Sequence, residues 1–344
     1  MGVYFHRARG RCRFSATFWR IFQSAGCLRS NTPQSYAQSF EAKYLPFADI
    51  FARVMGISLT ANIGDMTMQP EIIVIFCIFV AFIVAEMIFT RFFTKKGQVK
   101  GDGIVELIGS LALIIFTQPF IVGLGMGLMA FIAPEARDML KAWPFLAVFG
   151  LFVIFDDMAQ YWWHRITHAT PWLYKLHRPH HNAEYMSIRI VYRNNIFYYF
   201  LMPSLWFVGA LVYMGGGWVY AVYIVIKMTV IFGAHSDIRW DTPLYKIKWL
   251  SPVMWVVERT ISTPATHAAH HGKHISDGVT NYKGNYGNLF FFWDVLFGTA
   301  KITRQYPAEF GVENLPETSV LEQLIWPVVR VNPQPKSATL DPAE

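Results

Sequence analysis

Two long stretches in the middle of the chain contain no charged side chain. They cover residues 107–133 and 194–226. A membrane-spanning helix needs roughly 20 predominantly apolar residues, so the first stretch predicts one membrane span. The second is long enough for two helical segments, and Gly215, Gly216 and Gly217 interrupt it as a tight turn would. We therefore expect a helical hairpin there.

Weaker apolar stretches flank these two and contain isolated acidic residues. One covers residues 72–89 and includes Glu86, and the other covers residues 142–163 and includes Asp156 and Asp157. The pattern predicts an all-α membrane protein with four to five transmembrane or re-entrant helices. Composition agrees, because 53% of the 344 residues are hydrophobic and only 15% are charged, whereas soluble domains have about 25% charged residues.

The net charge of +7 is explained by membrane topology better than by nucleic-acid binding, because the basic residues flank the predicted spans and form no single stripe. Lys and Arg collect in cytoplasmic loops. Two basic loops, 91–100 and 165–193, are separated by an even number of predicted crossings. We expect both on the cytoplasmic face of an integral multi-pass protein, in a bacterial inner membrane or the endoplasmic reticulum. Three cysteines, Cys12, Cys27 and Cys77, lack the spacing of a disulfide framework or a metal site.

The same pattern divides the chain into three parts. Residues 1–68 are predicted to form an N-terminal arm whose first 40 residues carry six arginines and no acidic residue. This composition suits either a basic arm on an anionic membrane surface or a cleaved transit peptide. Residues 69–300 are predicted to form a membrane-embedded catalytic domain. Residues 301–344 are predicted to form a polar tail.

Histidines carry the strongest chemical signal. Ten of the eleven fall between residues 164 and 274, at the predicted membrane boundary and beyond it. One pair has the spacing i, i+4 and two groups of three have the spacing i, i+3, i+4, which places each set on one helical face. A single histidine ends the predicted hairpin. The nine candidate metal ligands are His164, His168, His177, His180, His181, His235, His267, His270 and His271.

Clustering at this spacing indicates metal binding. Charged imidazoles would repel one another and neutral ones would need many buried partners, whereas a metal ion takes up their lone pairs. Nine ligands supply about four to five for each of two metals, and imidazole suits Zn, Cu, Fe and Ni alike. A carboxylate-bridged site has little to use, because Glu184 is the only acidic residue between Met158 and Ala234. We expect His6 and His274 to lie outside the site.

A helix is predicted to begin just before the last histidine group, with Thr263 as its N-cap and Pro264 as its first residue. Asp157 lies seven residues before His164, two helical turns away. It is a candidate to orient that imidazole by a hydrogen bond. The alternative is an ordinary polar residue near a helix end.

The order of the motifs resembles the sterol desaturase and fatty acid hydroxylase superfamily of integral-membrane di-iron enzymes. Its pattern is HxxxH, HxxHH, a single His after a hydrophobic hairpin, and a second HxxHH. The flanking residues also match, in the segments 161–165, 285–287 and 293–299 and in His235-Ser236 with Arg239. The resemblance covers about residues 150–300. Ala268 departs from it, because relatives often carry Arg there.

The resemblance implies a membrane anchor with a cytoplasmic helical cap that carries the histidine motifs. It also implies two iron ions bound by the nine histidines, with O2 as co-substrate and no catalytic residue beyond the metal ligands. Such a site oxidises C–H bonds. We therefore expect hydroxylation of a lipid that enters from the bilayer, at an acyl chain, a sterol or a head group. Desaturation by the same site is the alternative.

The sequence contains no recognisable electron supply of its own. No nucleotide-binding loop follows a strand, no cysteine run suits an iron–sulfur cluster, and no haem module is evident. An external reductase with a ferredoxin or cytochrome is therefore expected as partner. Two other classes stay open. A metal transporter would carry charges deep in several spans, for which Lys227 is the main candidate, and a zinc hydrolase would need only three protein ligands.

Overall fold

The computed structural model describes residues 70–315 and 318–330, and within them the regular secondary structure is helical throughout. A π-helical turn, Ala112–Thr117, joins the second helix to the third. In chain order the helices are α1 Pro70–Phe89, α2 Asp102–Leu111, α3 Gln118–Ile132, α4 Phe145–Ala169, α5 Pro171–His181, α6 Pro203–Tyr213, α7 Gly217–His235, α8 Asp241–Tyr245, α9 Ser251–Thr260, α10 Pro264–His271, α11 Phe292–Leu296 and α12 Val320–Ile325.

Four helical stretches in this part of the chain are long and apolar enough to cross a membrane. They are Glu71–Phe89, Asp102–Ile132, Phe145–Ala169 and Gly217–His235. Their surfaces expose large apolar side chains, which a lipid environment tolerates and water does not. Phe131 on α3, for example, is 83% exposed. The predicted all-α membrane protein is confirmed.

The predicted hairpin is formed by α6 and α7, with a turn at Met214 and Gly215 between them. Gly215 has a φ of 90°, which favours glycine. The first arm is shorter than the apolar stretch that predicts it, because turns occupy residues 194–202. With 11 residues, α6 is about 16 Å long and cannot cross a bilayer alone. It packs closely on α3, where a Cβ on Gly209 would lie 3.0 Å from the Cα of Gly125.

The helix predicted before the last histidine group is confirmed. It is α10, which begins at Pro264 with Thr263 as its N-cap. The Thr263 side chain accepts a hydrogen bond from the Thr266 amide, and the Thr266 side chain accepts one from the Thr263 amide. This capping box satisfies two amides that the helix itself leaves unpaired. All eight residues of α10 are buried, and the helix packs against α7.

The predicted division into an arm, a catalytic domain and a tail stays a prediction. Residues 1–68 and 331–344 lie outside the described residues. The described part of the tail packs back onto the body, because the Gln323 side chain on α12 accepts a hydrogen bond from Arg193 at 3.0 Å. The cytoplasmic location of the basic loops 91–100 and 165–193 also stays a prediction.

Candidate metal centre

The nine predicted histidines meet where α4, α5, α7 and α10 converge. They form two groups, in each of which the ligand atoms all lie within 4.8 Å of one another. Eight of the nine are buried and His168 is half-buried. The five-histidine group contains His164, His168, His177, His181 and His270. The four-histidine group contains His180, His235, His267 and His271.

Each HxxHH motif contributes to both groups. On α5, His177 and His181 belong to the five-histidine group and His180 to the four-histidine group. On α10 the assignment is reversed, since His270 belongs to the five-histidine group, and His267 and His271 belong to the four-histidine group. Side chains at i and i+4 point in similar directions, whereas i+3 is rotated about 100° from i+4. The sequence predicts the shared site but not this exchange between the motifs.

Hydrogen bonds determine which ring nitrogen carries the proton in five of the histidines. In each case Nδ1 lies 2.7–2.9 Å from an oxygen that can only accept, so Nδ1 is the protonated nitrogen and Nε2 keeps its lone pair. The donor and acceptor pairs are His164 with the Tyr286 carbonyl, His177 with the Asn194 side chain, His180 with the Ile190 carbonyl, His235 with the Ile231 carbonyl and His270 with the Gly284 carbonyl.

The free nitrogens of these rings face one another. Nε2 of His164 lies 3.0 Å from Nε2 of His177 and 3.1 Å from Nε2 of His270, and the His180 and His235 Nε2 atoms are 3.3 Å apart. Since the protons are on Nδ1, these contacts oppose two lone pairs and cannot be hydrogen bonds. A cation between the nitrogens removes this conflict, so the donor set fits a bound metal.

Protonation of the Nε2 atoms does not relieve the repulsion between the opposed lone pairs. Burial lowers the pKa of His177, His180 and His270 well below the usual value for histidine, and neighbouring histidines lower these pKa values further. The rings are therefore neutral near pH 7. In addition, Nε2 of His168 is buried without a hydrogen-bond partner, as expected of an atom that serves as a metal ligand.

Asp157 does not orient His164, and its predicted role needs correction. Its Oδ2 atom accepts hydrogen bonds from the Phe290 amide at 3.0 Å and from Trp293 Nε1 at 2.9 Å. The His164 imidazole is held instead by the Tyr286 carbonyl. Two helical turns are about 10 Å along the axis, which is too far for the carboxylate to reach. Asp157 therefore anchors the segment around α11 to the middle of α4.

Two histidines, His6 and His274, are expected outside the site. His274 is 38% exposed and lies 3.4 Å from Glu309 and 3.3 Å from Glu313. It belongs to neither histidine group. His6 lies outside the described residues.

Glu86 is a buried residue near the histidines for which the sequence analysis predicts no role. It lies in α1 with no exposed surface. One carboxylate oxygen accepts hydrogen bonds from the Ile188 amide, the Ser236 hydroxyl and the Asp237 amide at 2.9–3.0 Å, and the other accepts from the Ser187 hydroxyl at 2.6 Å. Glu86 thus ties together the turn that holds His180 and the chain after His235. Its only signal in the sequence is an acidic residue within an apolar span.

Asp294 plays a similar part for the other group. Its two oxygens accept hydrogen bonds from the Tyr286 and Gly287 amides at 2.8 and 2.7 Å. These bonds shape the turn whose Tyr286 carbonyl holds His164. The sequence includes Asp294 and Tyr286 among the motif flanks, but their roles become visible only from these contacts.

Comparisons with known proteins agree with the motif pattern. Residues 149–299, which include all nine histidines, match the family model for fatty acid hydroxylase. Alkylglycerol monooxygenases of Danio rerio, Xenopus tropicalis and Homo sapiens are 30%, 26% and 27% identical to this chain over 144, 144 and 155 residues. Each match covers 42% of this chain and 28% of the relative, so the chain spans less than a third of their length. No solved structure matches the chain.

Proposed function

We propose that this chain, which belongs to the sterol desaturase and fatty acid hydroxylase superfamily, is a membrane oxygenase that hydroxylates a C–H bond of a lipid. The reaction would use O2, two iron ions and electrons from an external donor. The observation that supports this most directly is the set of opposed Nε2 lone pairs in both histidine groups. Such an arrangement is unfavourable without bound cations.

The five-histidine group would hold one iron and the four-histidine group the other. Bound there, the pair would supply O2 activation and the oxidation of an unactivated C–H bond. The chain supplies positioning. The carbonyls of Tyr286, Gly284, Ile190 and Ile231 hold four imidazoles with Nε2 directed inward. These rings need no reorganisation to bind metal, and their burial keeps bulk water away from the ligands.

The position of the site supports a lipid substrate. His235 is the last residue of α7, and His164 lies five residues before the end of α4. Both spans therefore deliver their histidines to one boundary of the membrane, where a lipid can reach the site without leaving the bilayer. The relatives are named alkylglycerol monooxygenases, which makes ether-linked glycerol lipids the first substrates to test. Hydroxylation beside an ether oxygen gives a hemiacetal, which breaks down to an aldehyde and an alcohol.

The charges within the spans support an enzyme over a metal transporter. Lys227 on α7 lies 2.8 Å from Asp156 on α4, and the Tyr223 hydroxyl donates to the same carboxylate oxygen at 2.7 Å. Glu86 is occupied by the four hydrogen bonds described above. These groups join helices to one another, so they do not form a line of free ligands along a pathway.

Product analysis tests the proposal. Membranes containing the iron-loaded protein are given a radiolabelled alkylglycerol and, separately, an acyl lipid and a sterol, with a chemical reductant under isotopically labelled O2. We expect a product that contains one labelled oxygen atom, no product under nitrogen, and none from the His180→Ala variant. A product that has lost two hydrogens without gaining oxygen would indicate desaturation. Turnover without O2, or full activity in His180→Ala, would contradict the oxygenase.

A further inference from the structure

We propose that part of the chain after α7 re-enters the membrane. The apolar surface formed by α9 and α11, together with Trp249, is embedded among the acyl chains of the leaflet that borders the histidine site. This placement rests on the structure alone, and its value for catalysis rests on the proposed function. None of these segments is among the four long apolar helices, and the sequence pattern does not predict their burial in lipid.

The depth of α11 can be measured against α4. The Phe290 amide and the Trp293 indole donate to Asp157, which lies about 10 Å from His164 along the helix. Leu289 packs against Val153 and Tyr223 in the core, and Val153 is about 16 Å from His164. Since α4 spans the membrane with His164 near its end, residues 289–293 lie at a level where α4 is surrounded by lipid.

Several polar backbone groups in this segment and just before it are bound within the protein. Polar backbone groups in a bilayer must be satisfied within the protein, because no water is there to do so. The Phe290 amide is bound by Asp157, and the Leu289 carbonyl accepts from the Ser262 amide at 3.1 Å. The Tyr286 and Gly287 amides, just before the segment, are bound by Asp294. This accounts for the buried carboxylate of Asp157, which does not contact the histidine groups.

The outer surface is apolar where a water-facing surface would be polar. On α9, Met254 and Glu258 point inward and are buried, whereas Val253, Trp255 and Val256 are more than half exposed. Glu258 is paired with Arg304 at 2.8 Å. The apolar side of this helix thus faces outward and the charged side inward, the reverse of a soluble surface helix. The adjacent α11 continues the surface with exposed Phe292, Val295 and Leu296.

Tryptophan and basic residues mark the edge of this surface. Trp249 is 77% exposed and directly follows Lys248, which is exposed, as is Lys246. The Arg259 guanidinium stacks on Trp255 at 4.2 Å. Tryptophan with lysine and arginine is the usual composition at the boundary between acyl chains and anionic head groups. This charge distribution favours a lipid leaflet as the occupant.

The surface lies beside the five-histidine group. Phe297, directly after α11, stacks on Tyr161 at 5.3 Å, and Tyr161 contacts Tyr286, whose ring lies 5.4–5.6 Å from His164, His168 and His270. Acyl chains in contact with α11 are therefore separated from the histidines by only this layer of aromatic rings. The embedded surface would form the side of the site that faces the lipid substrate.

Spin-label accessibility tests the placement. In a background with Cys12, Cys27 and Cys77 replaced by alanine, Val295→Cys and Val253→Cys are labelled with a nitroxide. The full chain is reconstituted in vesicles of phosphatidylcholine and phosphatidylglycerol. Ile115→Cys, exposed in a span, is the lipid reference, and Lys283→Cys, exposed in a loop, is the water reference. Collision rates are measured with O2, which concentrates in lipid, and with a water-soluble nickel chelate.

We expect both test positions to behave like the lipid reference, with nickel collision rates several-fold below that of Lys283→Cys and higher O2 collision rates. All four positions are exposed, so the substitutions leave the core intact. Water-like collision rates at both Val295 and Val253 would overturn the proposal. The measurement needs no turnover. A protein that gives these rates but forms no product would count against the proposed function only.

Discussion

The two histidine groups contain the same kind of ligand but are held by different parts of the chain. In the five-histidine group, His164 and His270 donate to carbonyls of the 284–286 turn, which Asp294 shapes from α11. In the four-histidine group, Glu86 of α1 holds both the turn at residues 187–190 and the chain after His235. One group depends on a segment near the end of the domain and the other on the first span. We therefore expect the metal affinity of the five-histidine group to depend on Asp294 and that of the four-histidine group to depend on Glu86.

The largest effects should come from two histidines of one motif. His267→Ala and His270→Ala change neighbouring ligands on α10, yet the structure assigns them to different groups. We expect both to abolish turnover and each to lose a different metal. Binding of Co(II) to each variant, followed by its visible spectrum and by metal content, separates a damaged four-ligand site from a damaged five-ligand site. Identical spectra for the two variants would mean that the histidines of α10 all bind the same metal, contrary to the assignment above.

The second largest effect should come from Glu86, which anchors the four-histidine group from α1. Glu86→Gln keeps the size of the side chain but replaces an oxygen acceptor with a donor, which leaves buried amides or hydroxyls unpaired at a cost of about 1–3 kcal/mol. We expect the four-histidine group to lose metal affinity by about 10–100-fold, with less change in the five-histidine group. Metal content after dialysis measures both. Glu71→Gln, at the start of the same helix, is the matched control and should retain both metals.

Asp294→Asn should weaken metal binding in the five-histidine group instead of the four-histidine group, and by less than Glu86→Gln weakens it in the other. An asparagine oxygen can still accept one of the two amides of the 286–287 turn, so the Tyr286 carbonyl is displaced less than complete loss of the carboxylate would allow. We expect about a 10-fold loss of metal affinity, confined to the five-histidine group. Metal titration monitored by the Co(II) spectrum reports it. Equal loss from both groups would show that the two anchors are not independent.

These contrasts explain what the sequence could and could not predict. Helix periodicity and turn residues act over a few positions, so the hairpin, the start of α10 and the nine histidines are visible in the chain itself. The contacts of Glu86 join positions more than 100 residues apart, and no local pattern records them. Asp157 illustrates the same limit. Its spacing from His164 suggests a local partner, but its hydrogen bonds reach residues 290 and 293.

The smallest effect should come from His274→Ala. This residue lies three positions after His271, a spacing that by itself resembles another ligand, but α10 ends at His271 and the chain is extended at Gly272. The side chain is therefore turned toward Glu309 and Glu313 at the surface, where a contact between solvent-exposed polar groups contributes about 1 kcal/mol or less. We expect metal content and the Co(II) spectrum to match those of the unchanged protein and most activity to persist. Loss of a metal in this variant would show that helical spacing overrides the observed end of α10, and the division into five and four ligands would then be wrong.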